Sequence, residues 1–122
     1  MNKTMSKKEF ARYLEERMVD FAIRIIKLSS ELPKTPEGMV VKTQITKSGT
    51  SAGANYHEAN QSTSRADFNS KIDISVKELA ETKFWLKVIM KSEMLSEKRV
   101  KPDFDECCEL LSLFVSIAKS SS

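Results

Sequence analysis

The sequence predicts an all-α protein, an antiparallel up-down four-helix bundle. Three observations carry that prediction. Apolar residues recur at steps of three and four along nearly the whole chain, the period of a helix with one buried face. No stretch alternates apolar and polar residues long enough to make a strand. The only three prolines, Pro33, Pro36 and Pro102, stand where the periodicity lapses. Amphipathic segments joined by short breaks bury their faces most simply as an antiparallel bundle.

Helices are expected over about 6–32, 36–61, 65–91 and 103–119 of a single domain spanning 1–122. In the first, Ser6 and Glu9 have capping-box spacing. Phe10, Leu14, Met18, Phe21, Ile25, Leu28 and Leu32 form its inward stripe. Thr35 can cap the second, with Pro36 at the first helical position, where a missing N–H is harmless. Its stripe reads Val41, Ile45, Ser48, Ala52, Asn55 and Ala59. The third begins at Ser64 with Asp67 three residues on, and faces inward with Phe68, Ile72, Val76, Leu79, Leu86 and Met90. "SEMLSEKRVKPD" is read as the last connection, with Asp103 capping the fourth helix and Glu106 supporting it. Phe104, Cys107, Leu111, Phe114 and Ala118 make that helix's stripe, and the serine-rich end is expected to fray.

A chain of 122 residues, 40% hydrophobic and 30% charged, can bury a core without metal or disulfide staples. No apolar run approaches the roughly 20 residues that span a bilayer. The charged start lacks the apolar region of a signal peptide. The expectation is a cytoplasmic protein that does not enter membranes. Cys107 and Cys108 are adjacent, a poor arrangement for a bridge or a metal site, and are read as reduced and structural.

The stretch "SGTSAGANYHEANQS" at 48–62 is rich in small residues. As a phosphate loop it fails, because no strand precedes it and no lysine follows its glycines. Gly49 and Gly53 have GxxxG spacing, which on a helix makes a smooth face for close approach. They are expected at an oligomer interface. Leu110, Leu113 and Ile117 form a second apolar row on the fourth helix, and the same interface is expected there; the simpler alternative is a generous core. Asn55 falls on the inward stripe, where an unbonded amide is costly. It is therefore expected to be buried and bonded to a neighbouring helix, with Glu58 beside it as a second structural polar residue. The single His57 has no HExxH partner, so no metal, no cofactor and no catalytic residue is assigned.

The formal charge is +3, too mild to demand a nucleic acid. The bases are unevenly placed, however. Lys83, Lys87 and Lys91 lie four apart on one face of the third helix, and Lys98, Arg99 and Lys101 follow. From Glu93 to the end there are four basic and six acidic residues, so a basic surface would be one-sided. The competing reading is a solvated face favoured by the helix dipole.

Two patterns stand out. One is the small-residue run Ser51 to Ala54 with Asn55 and Glu58, then Ser64, Asp67 and Phe68. The other is Lys77, Glu78, Glu81, Thr82, Phe84, Trp85 and Leu86 in "KELAETKFWLKVI". Together they resemble a bacterial family of four-helix-bundle proteins named for intervening sequences in 23S rRNA. The likeness runs from about Tyr13 to Ile117. It implies an up-down bundle assembled as a ring, a pentamer foremost. It also implies kinship with retroelement accessory proteins that engage nucleic acid and a reverse transcriptase, and it brings no catalytic residues. The expected function is a non-enzymatic homo-oligomer that binds RNA or DNA through Lys83, Lys87, Lys91, Lys98, Arg99 and Lys101. The alternative is a scaffold for a partner protein with no nucleic-acid contact.

Overall fold

Each helix starts at a hydroxyl side chain that satisfies an otherwise orphaned backbone N–H. In the computed structural model, which describes residues 5–122, Ser6 Oγ accepts from the N–H of Glu9 at 3.1 Å, and Glu9 Oε1 accepts from that of Ser6 at 2.8 Å. This completes the capping box of α1 (Lys7–Ser30). The Ser6 N–H, with the Ser6 hydroxyl beside it, holds the Glu9 carboxyl below its ordinary range. Thr35 caps α2 (Pro36–Asn60). Ser64 caps α3 (Arg65–Lys91).

The fourth helix departs from expectation. Ser96, not Asp103, caps α4 (Glu97–Ser121), which starts six residues early and continues to Ser121. Pro102 lies inside it. Proline removes one intrahelical bond there, to the carbonyl of Lys98. Both positions are exposed, so solvent can serve that carbonyl. Asp103 becomes a buried side chain instead of a cap.

The short connections reverse the chain three times, giving the antiparallel up-down bundle. One apolar core runs through it, with Leu14, Phe21 and Ile25 of α1, Ile45 of α2, Ile72, Leu79 and Leu86 of α3, and Leu110 and Phe114 of α4 all fully buried. Tyr56 and Phe114 meet edge to face across the bundle, 5.0 Å between centroids.

The small-residue stretch makes α2 thin on two sides. A Cβ on Gly49 would lie 2.6 Å from Ile25 Cγ2, and one on Gly53 would lie 3.2 Å from Met18 Cβ. Both glycines thus admit α1 of the same chain. On the other side, Ser75 Oγ of α3 donates to the backbone carbonyl of Ala52 at 2.8 Å, and Thr82 Oγ1 is 2.8 Å from Ser48 Oγ. Ala52 is fully buried there, and its small side chain suits so close an approach of α3.

The seam between α1 and α4 is the sparsest of the four neighbouring pairs, and charge closes it. Arg17 Nε and Nη2 donate to Glu106 at 2.8 Å each, and Arg17 also pairs with Glu109. Arg24 Nε donates to Asp103 Oδ1 at 2.6 Å and its Nη2 to the Pro102 carbonyl at 2.9 Å. Arg99 forks onto Glu31, at the end of α1, at 2.8 and 2.9 Å.

The connection after α3 carries strain. The N–H of Met94 donates to the Ile89 carbonyl and that of Glu93 to the Met90 carbonyl, both at 3.1 Å. This is a Schellman stop, which places its penultimate residue in the left-handed region and favours glycine there. Glu93 occupies it with φ 63°. Glu93→Gly is expected to stabilise the protein by about 1 kcal/mol, read as a rise in the thermal midpoint.

Candidate nucleic-acid interface

The six basic residues separate into two groups. Lys87, Lys91 and Lys98 are exposed and Lys83 is half-buried. Among the described residues, none of these four has a carboxylate within 4.0 Å. Arg99 and Lys101 are engaged. Besides its fork on Glu31, Arg99 Nη1 donates to Asp103 Oδ2 at 3.3 Å. Lys101 Nζ reaches both oxygens of Asp105, at 2.9 and 3.1 Å, and that bond raises its pKa. Arg99 therefore belongs to the α1–α4 seam rather than to a free basic face.

A shallow surface between α3 and the start of α4 is lined by Lys87, Met90, Lys91, Lys101 and Phe104 together with the acidic Glu93 and Glu97. The early start of α4 builds this surface, because it turns what reads as a loop into a helix lying beside the end of α3. Its lysines can position phosphates, against the opposing charge of Glu93 and Glu97.

The other expected site residues fall elsewhere. Asn55 is half-buried, not fully buried, and its Nδ2 donates to the carbonyl and hydroxyl of Ser51, 2.9 and 3.2 Å away on its own helix. Tyr56 takes the core position instead. The stripe steps from Ala52 to Tyr56, by four residues instead of three, and this turns Asn55 toward the edge. Glu58 is exposed and accepts from Lys71 Nζ of α3 at 2.8 Å. Gly49 and Leu110 are buried inside the bundle, so neither offers surface to another subunit; Gly53 faces α1, while Leu113 and Ile117 are half-buried. Sequence reasoning missed the outer row of α1, where Val19, Ile23 and Ile26 are about half exposed, with Met39 and Val40 exposed on α2. Its signal was a second period of four and three offset from the core stripe.

His57 is exposed, 3.9 Å from Glu15, and no thiol faces it. Cys107 is buried and lies 3.4 Å from the Leu79 carbonyl, to which its thiol donates. Burial pushes that thiol up to about 12, so it is not a nucleophile at neutral pH. A chromogenic thiol reagent is expected to titrate half-exposed Cys108 first and Cys107 only after denaturant is added. Among the described residues, no three His, Cys, Asp or Glu side chains converge to hold a metal, and no helix is long and apolar enough to cross a membrane.

No curated protein sequence matches the chain. A crystal structure of a protein of unknown function from the S23 ribosomal protein family of Bacteroides thetaiotaomicron is similar, with 36% identity and a TM-score of 0.80. The match covers 86% of this chain and 97% of that one. The family profile described as 23S rRNA-intervening sequence protein matches residues 13–116. That span takes in most of all four helices, and the chain belongs to the 23S rRNA-intervening sequence protein family.

Proposed function

We propose that this protein is a non-enzymatic, self-associating bundle in a reducing cytoplasmic setting that binds RNA or DNA through the end of α3 and the first turn of α4. The observation that carries the reading is the contrast between paired and unpaired cations. Arg17, Arg24 and Arg99 are spent on the seam, whereas Lys83, Lys87, Lys91 and Lys98 are left without carboxylates. Lys87 and Lys91 share one surface at the end of α3, with Lys98 on the adjoining face of α4, and unpaired lysines attract phosphate without reading sequence. The family's name, taken from rRNA, supports the same class of partner. Replacing Lys87, Lys91 and Lys98 by glutamate is expected to weaken binding at least tenfold for all sequences, at unchanged thermal stability. An anisotropy titration at low salt measures it, and equal binding by the variant would refute the reading.

Self-association is proposed through the outer row of α1, Val19, Ile23 and Ile26, with Val40 of α2. A contiguous exposed apolar row is uncommon on a monomer. The ring that the family resemblance implies would repeat the lysine surface and raise avidity. Light scattering at micromolar concentration is expected to give a multiple of 13.8 kDa, and Ile23→Asp is expected to lower it. The scaffold reading draws on this same apolar row and would stand if the oligomer formed but no nucleic acid bound.

A further inference from the structure

The outermost line of α3 carries an apolar ring where solvent would favour a polar side chain. Phe84 is 55% exposed. It shares that line with Lys77 and Lys91, seven residues to either side, and Lys87 is three residues on. At the helical rise, each seven-residue step spans roughly 10.5 Å, almost two full turns, so the three side chains project in nearly the same direction. Lys77 and Lys91, like Lys87, have no carboxylate within 4.0 Å among the described residues.

The ring is held in place. Phe84 meets Trp85 edge to face, with centroids 4.9 Å apart and planes at 74°. The indole Nε1 of Trp85 donates to Glu81 Oε2 at 3.1 Å, which fixes Trp85 on its flank of the helix. A pre-set aromatic ring therefore stands amid unpaired ammonium groups. Lysines alone would serve any phosphate chain equally well. An exposed ring between them offers a stacking surface, which paired bases inside a duplex cannot use without leaving their stack.

We infer that Phe84, steadied by Trp85 and flanked by Lys77, Lys87 and Lys91, is a stacking platform for an unpaired base, so that the protein prefers single-stranded to duplex nucleic acid. This rests on the nucleic-acid reading above and sharpens it. The preference arises because a single strand gains both the phosphate contacts and the stack, whereas a duplex gains only the former. Asp73 lies beyond Lys77 on the same line and would end the strand's path there, while Glu81, inside the segment, is engaged by the Trp85 indole.

The test uses the full chain, labelled oligo(dT) and a duplex of equal length at low salt. Wild type is expected to bind the single strand more tightly. Phe84→Ala is expected to weaken oligo(dT) binding by roughly 5- to 150-fold, the range for losing one base–aromatic stack, while duplex affinity stays within twofold. Phe84→Trp is expected to restore it. In the wild-type protein, oligo(dT) should quench the fluorescence of Trp85, the single tryptophan, and the duplex should not. Equal binding of both forms by wild type, or equal effects of Phe84→Ala on both, overturns the platform and leaves the lysine surface standing. Loss of oligomer mass on Phe84→Ala with unchanged affinity would make the ring a subunit contact and overturn it too. Binding of neither form by wild type removes the nucleic-acid reading itself, and the platform with it.

Discussion

Gly38→Ala is expected to destabilise the protein by about 3 kcal/mol or more, a large effect for one methyl group. A Cβ at Gly38 would lie 1.9 Å from the Pro33 carbonyl oxygen and 2.9 Å from its carbon. Those are backbone atoms, which cannot swing aside as a side chain can. The turn that holds them is itself anchored, since Leu32 is buried and its N–H donates to the Ser29 carbonyl at 3.2 Å. The clash also falls on the helix cap. The N–H of Gly38 donates to Thr35 Oγ1 at 3.0 Å, and a lost cap costs about 1 kcal/mol. In urea, the midpoint should fall with the slope unchanged. Gly53→Ala is the control: its Cβ would meet Met18 Cβ at 3.2 Å, and the tight contact is offset by about 1 kcal/mol of helix propensity. A Gly38→Ala protein as stable as wild type would mean that α2 does not begin against Pro33.

Asp103→Ala is expected to cost about 2 kcal/mol and to loosen α4 from α1. The carboxylate is 6% exposed and receives Arg24 and Arg99 at once. Both arginines keep a third or more of their side chain in solvent, so water can replace part of what they lose. The cost should therefore stay below the 3–5 kcal/mol that follows from breaking a fully buried pair. Because α1 and α4 approach each other over the shortest stretch of the four neighbouring pairs, the loss should be local. Amide exchange is expected to accelerate in α1 and α4 more than in α2 and α3. Uniform acceleration across all four helices would mean that the seam is not a separate unit of stability.

Most of the fold was legible because helical period, caps and prolines are local signals. Ser6, Thr35 and Ser64 each marked a helix start that the structure keeps. Pro102 misled, since a proline reads as a boundary, yet one at an exposed position within the second turn leaves only one carbonyl to solvent. Asn55 misled for a reason of phase: steps of three and four from Ala52 reach Asn55 and Tyr56 equally well, and the diagonal contact with Phe114 selects Tyr56. The basic cluster was legible as charge but not as availability. Whether a lysine or arginine is free depends on partners far along the chain, as Glu31 lies 68 residues from Arg99. The glycine pair announced close packing, but no local signal says whether the helix that comes close belongs to the same chain. The exposure of Phe84 was hidden likewise, because "KFWLK" places two aromatics and a leucine in a row and only the packed bundle decides which one faces out.

The salt dependence of nucleic-acid affinity tests the lysine surface most directly. Each phosphate contact contributes roughly 0.7–0.9 to the slope of log affinity against log salt concentration. Replacing Lys87, Lys91 and Lys98 by glutamine removes three charges without adding any. The slope should then become shallower by roughly two to three units per bound subunit. Arg99→Gln, which disturbs the seam, should lower the unfolding midpoint and leave the slope unchanged. A triple variant with the wild-type slope, or a wild-type protein that binds nothing at low salt, would contradict a nucleic-acid surface on α3 and α4.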